Sequence, residues 1–239
     1  MRFRLPLRRI VFFLAALALT LLALLPLRLA AGWFDMGGKG LAAREAEGSL
    51  WFGRLREAQF GPVILGDIDA RLNVLPLFLG RARLSLHRDA ESGGAFDGAV
   101  LVTRHSFGLE DLTGQLRTGA LFGPLPIATL DLTDVSVHFE GGQCESAEGQ
   151  VRAGLAADVA GLALPSGLSG AVRCQGGAVQ LPLAGQSGME QVNISIEASG
   201  RWRAEVIVRP TDPVTIQRLT AAGFAPGAGG YVRRIDGNF

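Results

Sequence analysis

The chain has 239 residues, 48% of them hydrophobic and 19% charged, with a formal net charge of +1. That is enough chain for one sizeable domain with its own core. The near-neutral balance gives no electrostatic case for binding nucleic acid or an acidic partner.

Arg2, Arg4, Arg8 and Arg9 precede an uncharged apolar run from Ile10 to Leu27, interrupted only by Thr20 and Pro26. A run of about 18 residues is near the lower limit for a helix that spans the hydrocarbon core. Basic residues before it and few just after it predict an N-terminus inside and the rest outside. Arg28 can snorkel to the outer headgroups, and Trp33 and Phe34 suit an interfacial aromatic belt. The expected organisation is a cytoplasmic N-terminus over 1–9, a transmembrane anchor over 10–27, a juxtamembrane connection over 28–47 and a periplasmic β-rich domain over 48–239. The rival reading is a cleaved signal peptide. Leu29-Ala30-Ala31 approximates an A-x-A site poorly, and the run exceeds the usual h-region. Both readings put the remainder of the chain on the exported side.

Beyond Gly40 apolar and polar residues alternate with a period of two, as in Ile68-Asp69-Ala70-Arg71-Leu72-Asn73-Val74 and Arg81-Ala82-Arg83-Leu84-Ser85-Leu86-His87. Val192 to Ile196 and Trp202 to Val206, separated by Ser199-Gly200, predict a hairpin with one buried face per strand. The alternation slips by one between Leu132 and Val135, which marks Thr133-Asp134 as a bulge or tight turn.

A fixed offset also emerges. Gly48, Trp51 and Gly53 match Gly93, Phe96 and Gly98 at 45 residues. Asp67, Ile68, Leu72, Leu77 and Phe78 match Asp111, Leu112, Leu116, Leu121 and Phe122 at 44, and Leu79, Ala82, Leu84 and Leu86 match Leu125, Ala128, Leu130 and Leu132 at 46. Read as a repeat, each copy is several strands around a Leu/Pro-rich corner; the alternative is chance matching in a Leu- and Gly-rich chain. The 33 glycines suit a chain of many short reversals. One further helix is expected near the C-terminus, with Asp212 as its cap, Pro213 at its first position, Ile216 and Leu219 on one face and Gly223 at its end. The predicted fold is mainly β: an N-terminal transmembrane helix, then a curved antiparallel sheet with repeated strand units and a short C-terminal helix.

Catalytic constellations do not appear. His87, His105 and His138 lack metal-ligand spacing, and there is no nucleophile elbow, P-loop or dinucleotide fingerprint. No cofactor is expected. Asp67 and Asp69, two apart on a strand, share a face and form at most a weak cation site; a solvated strand face is the plainer reading. Cys144 and Cys174 are not a C-x-x-C pair, and on the oxidising side they read as one structural disulfide, with two buried thiols as the alternative.

Several features taken in order resemble the protein N family of the type II (general) secretion pathway. They are the Arg-bearing N-terminus and anchor, Gly48-Ser49-Leu50-Trp51-Phe52-Gly53-Arg54, and the corner from Leu72 to Gly80 with Pro76. The two cysteines follow, Cys174 shortly before Gly176-Gly177, and the chain closes with Gly230-Tyr231 and Ile235-Asp236-Gly237. One departure is Leu72-Asn73, where the family usually carries a Trp. The resemblance implies structural roles for Gly48, Trp51, Gly53, Pro76, Gly80, Tyr231 and Gly237. It also implies a non-enzymatic inner-membrane component that assists export of folded proteins across the outer membrane, with other inner-membrane subunits of the apparatus as partners. A second class of function is lipid handling, in which a curved apolar face beside a membrane anchor holds acyl chains, as in AsmA-like proteins. An enzyme built from scattered residues has no positive support.

Overall fold

The computed structural model describes residues 11–17, 20, 24, 26, 41–60, 63–90, 94–118, 122, 127–155 and 167–238. Alternation of apolar and polar residues becomes a single antiparallel sheet. The strands are β1 (Leu41–Ala42), β2 (Glu45–Gly48), β3 (Gly53–Phe60), β4 (Val63–Asn73), β5 (Ala82–Arg88), β6 (Phe96–Val102), β7 (Ser106–Arg117), β8 (Ile127–Glu140) and β9 (Gln143–Leu155). They continue with β10 (Leu168–Ala171), β11 (Arg173–Gln175), β12 (Ala178–Ala184), β13 (Glu190–Ile196), β14 (Arg201–Val208), β15 (Ala225–Gly227) and β16 (Gly230–Asn238). Two short helices interrupt them, α1 (Val74–Phe78) and α2 (Pro213–Ala221). From β3 to β10 each strand pairs with its neighbour in sequence. Two pairings are composite: β1 and β2 both pair with β3, and β10 and β11 both pair with β12.

Apart from Gly48 and Trp51, which precede β3, the described residues related by the 44–46-residue offset fall in two successive three-strand stretches with their connections, β3-β4-β5 and β6-β7-β8. In the first unit the corner between the second and third strands is α1. In the second it is the connection from 118 to 126, of which Thr118 and Phe122 are described; Leu121 and Leu125 lie outside the described residues, as does Gly93.

Several register shifts break the ladders, and three of them use the same device. Glu57, Asp111 and Asp134 take positive φ values of 47°, 52° and 50°. Each frees its backbone N–H, which then donates to a side chain on the neighbouring strand. Glu57 donates to Asp67 Oδ1 at 2.8 Å, Asp111 to Ser136 Oγ at 2.9 Å and Asp134 to Thr113 Oγ1 at 3.0 Å. The phase slip at Thr133-Asp134 is therefore a bulge inside β8. Its effect is that Leu132 and Val135, three residues apart, both point into the core. Bulges also bend the strand and increase its twist, which lets one sheet wrap its own apolar side.

That side is filled. On β12, β13 and β14 cross-strand register aligns Leu181, Ile194 and Ala204 in one row and Leu183, Val192 and Val206 in the next. All six are buried in a cluster that extends to Phe96, Leu112, Val151 and Leu168. A smaller cluster, Leu55, Ala58, Ile68 and Ala70, sits under the first hairpin, and Leu86 packs against both. The helix α2 begins as expected: Asp212 Oδ1 accepts from the Thr215 N–H at 2.8 Å, and Pro213 follows the cap. Nine residues cannot hold a helix in water unaided. Fully buried Leu219 docks it onto the core, and Gly223 ends it at φ +83°.

Residues 11–17 are helical and exposed. Among the described residues no helix is long and apolar enough to cross a membrane. Residues 10, 18, 19, 21–23, 25 and 27 of the expected anchor, and most of the connection over 28–47, lie outside the described residues. The described part of that connection forms β1 and most of β2, both paired with β3, so the β body begins before Gly48.

Candidate functional site

The residues singled out in the sequence do not converge on one pocket. They form two groups, one at the first corner and one on the last strand, with the cysteine pair between them in the chain. At the first corner Gly48, with φ +81°, opens a tight turn in which Ser49 and Phe52 exchange backbone hydrogen bonds at 3.1 and 3.2 Å. A Cβ at Gly48 would stand 2.4 Å from the Phe52 carbonyl oxygen, so the position tolerates no side chain. Buried Gly53 then starts β3 opposite Ala70. Trp51 is half-buried and lines a cleft with Phe52, Arg71, Leu72 and Pro76. The Pro76 carbonyl accepts from the N–H groups of Leu79 and Arg81, both at 3.0 Å, and Gly80 takes φ +72° to turn the chain into β5.

On the last strand, half-buried Tyr231 pairs with Val208 and packs against the large core cluster. Gly237 pairs with Trp202, whose indole lies across it: a Cβ there would stand 2.6 Å from Trp202 Cζ2. Trp202 meets Phe122 edge-to-face with ring centroids 5.7 Å apart. The last strand thus supplies a bare backbone on which the largest aromatic of the core rests.

Cys144 and Cys174 form a disulfide, with Cα atoms 5.6 Å apart. It joins the start of β9 to β11, where the Cys144 N–H also donates to the Gly177 carbonyl at 2.8 Å.

Polar residues are used for construction. Asp67 and Asp69 do not act as a pair: Asp67 serves the Glu57 bulge, and Asp69 accepts from Arg54 Nε at 2.8 Å. That hydrogen bond holds the Asp69 carboxyl below the usual carboxylate range. His87 lies on the polar side of β5, in phase with Arg83 and Ser85. Its ring nitrogens meet Asp97 at 2.6 Å and Asp89 at 3.2 Å, and these two bonds raise its pKa above the ordinary imidazole value. Among the described residues no group of three or more His, Cys, Asp or Glu could hold a metal ion.

The side chain that sequence reasoning missed is Arg88. It is buried at the end of β5, and its guanidinium donates to three carbonyls: Gly94 at 2.7 Å, Leu65 at 2.5 Å and Gln115 at 2.6 Å. Its Cζ also lies 5.7 Å from the centroid of the Phe96 ring. β5 pairs with β4 only from Asp69 to Asn73, while Ile64 of β4 pairs directly with Arg117 of β7. Arg88 fills the fork where the short β5–β6 hairpin stops and its flanking strands meet. Burial lowers its pKa, with repulsion from Arg117 adding to the effect. The one sequence signal was that alternation from Ala82 places position 88 on the inward phase, where a charge is out of character.

These features define a class: a single-sheet β protein whose singled-out residues shape turns, bulges and aromatic packing. A sequence-family comparison matches residues 39–234 to type II secretion system (T2SS), protein N. The chain belongs to that family. No curated protein and no solved structure matches it.

Proposed function

We propose that this chain is a non-enzymatic inner-membrane component of the type II secretion system. In this reading residues 10–27 anchor it, the N-terminus is cytoplasmic, and the β body stands in the periplasm and assists assembly or export through contacts with other inner-membrane subunits. Family membership across residues 39–234 carries the reading. The Cys144–Cys174 disulfide supports the compartment, because such bonds persist on the oxidising side of the membrane. The first-corner and last-strand residues support a scaffold, since each shapes backbone or packing.

The test is a chromosomal deletion combined with a pull-down of the full chain, anchor included, from detergent-solubilised membranes. The expected result is impaired secretion of folded substrates and recovery of inner-membrane subunits of the apparatus. Normal secretion in the deletion strain together with an empty pull-down would overturn the proposal. The lipid-handling alternative gains no support, because the apolar side that would hold acyl chains is occupied by Leu168, Leu183, Ile194 and their neighbours.

A further inference from the structure

The two strand units treat the aromatic residue at matching sequence positions in opposite ways. Phe122, in the second unit, is 3% exposed and packs against Trp202. Phe78, its counterpart 44 residues earlier, is 83% exposed, and it is flanked by Leu75 at 81% and Leu79 at 77%. Phe52, in the turn between β2 and β3, is 71% exposed. Turn and corner lie at the same end of the sheet, because Gly53, the first residue of β3, pairs with Ala70 near the end of β4. The result is a protruding apolar knob that finds no cover among the described residues.

Two observations indicate what covers it. The apolar N-terminal segment leads there: Pro26, at the end of that segment, forms a β-bridge with Ser49, three residues from Phe52. The knob is also rimmed by arginine. The Arg71 guanidinium sits 5.8 Å from the Phe52 ring centroid, and exposed Arg81 lines the same cleft as Leu75, Phe78 and Leu79. Aromatic and leucine side chains inside a rim of arginine suit the boundary between acyl chains and anionic headgroups.

We propose that the knob formed by Phe52, Leu75, Phe78 and Leu79 is inserted in the outer leaflet of the membrane that holds the anchor. The β body is then held against the bilayer by a second contact, with the β4–β5 corner facing the lipid. This rests on the reading of residues 10–27 as an anchor, and the experiment separates the two. The full chain is reconstituted in phosphatidylethanolamine/phosphatidylglycerol vesicles, with a single added cysteine labelled by an environment-sensitive fluorophore under non-reducing conditions. The labelled variants are Phe78→Cys on the knob, Leu17→Cys in the anchor and Ala90→Cys, roughly 25 Å away beyond the other end of β5. Lipids brominated or spin-labelled near the headgroup should quench position 78 several-fold more than position 90, and deep quenchers should act on position 17. Quenching at 17 with none at 78 overturns the docking and leaves the anchor standing. Quenching at 78 with none at 17 supports the docking and removes the anchor. Equal quenching at 78 and 90 would indicate indiscriminate adsorption and overturn it. So would protection of position 78 only when another secretion subunit is added, which would make the knob a protein interface.

Discussion

Arg88 is a buried cation with no carboxylate partner among the described residues, kept in place by three carbonyl oxygens. Replacing it by Met preserves volume but leaves those oxygens without donors in a water-poor fork. Denaturant unfolding of Arg88→Met should show a loss of about 2–4 kcal/mol. Arg88→Lys should recover only part of this, since one ammonium group cannot reproduce a planar fork of donors. His87 makes a different kind of contribution. With its pKa raised by Asp97 and Asp89, the imidazolium is favoured in the folded chain. The added stability is therefore fully present below the unfolded value of about 6.5 and is lost as pH rises through the folded one. An NMR titration of the His87 ring should give a midpoint above the ordinary value, and Asp97→Asn should lower it. An unshifted midpoint in the parent chain would remove His87 from any account of pH response.

Within single elements the bulges carry the shape. Asp134 sits at φ 50°, a conformation that a β-branched side chain strongly resists. Asp134→Val should cost about 1–3 kcal/mol, whereas Asp134→Asn should be milder, because Asn tolerates this region. Thermal melts of the two variants give the comparison, and equal melting points would show that the bulge does not depend on its residue. Much of this level was legible beforehand. The strands read from alternation are present, the slip at Thr133-Asp134 is a bulge, and Asp212, Pro213, Leu219 and Gly223 play the parts their positions suggest. What could not be read was anything that depends on a partner distant in sequence. Asp67 as acceptor for Glu57 requires knowing the register of β3 on β4, and the Ile64–Arg117 pairing and the burial of Arg88 require knowing that β5 is too short to separate β4 from β7. The opposite fates of Phe78 and Phe122 were equally hidden, because matching corners in a sequence do not reveal which one meets the core.

For the whole molecule, the disulfide is a tether across a sheet that is otherwise stitched by neighbouring strands. The bridged cysteines are separated by 30 residues. Closing a loop of this size stabilises the fold by about 3–4 kcal/mol in the chain-entropy model. The double variant Cys144→Ser, Cys174→Ser should therefore retain the fold yet unfold at clearly lower denaturant concentration. A midpoint identical to that of the oxidised parent would show the bridge to be energetically idle.

Because spatial order follows chain order from β3 to β10, construction has a direction. A polypeptide delivered N-terminus first through a narrow opening presents, at every moment, its newest strand to the edge made just before. Assembly over this stretch needs no template and no waiting for distant partners. The fork does require patience: Ile64 and Arg88 are synthesised well before Arg117 and Gln115, so the first unit locks only once the seventh strand has emerged.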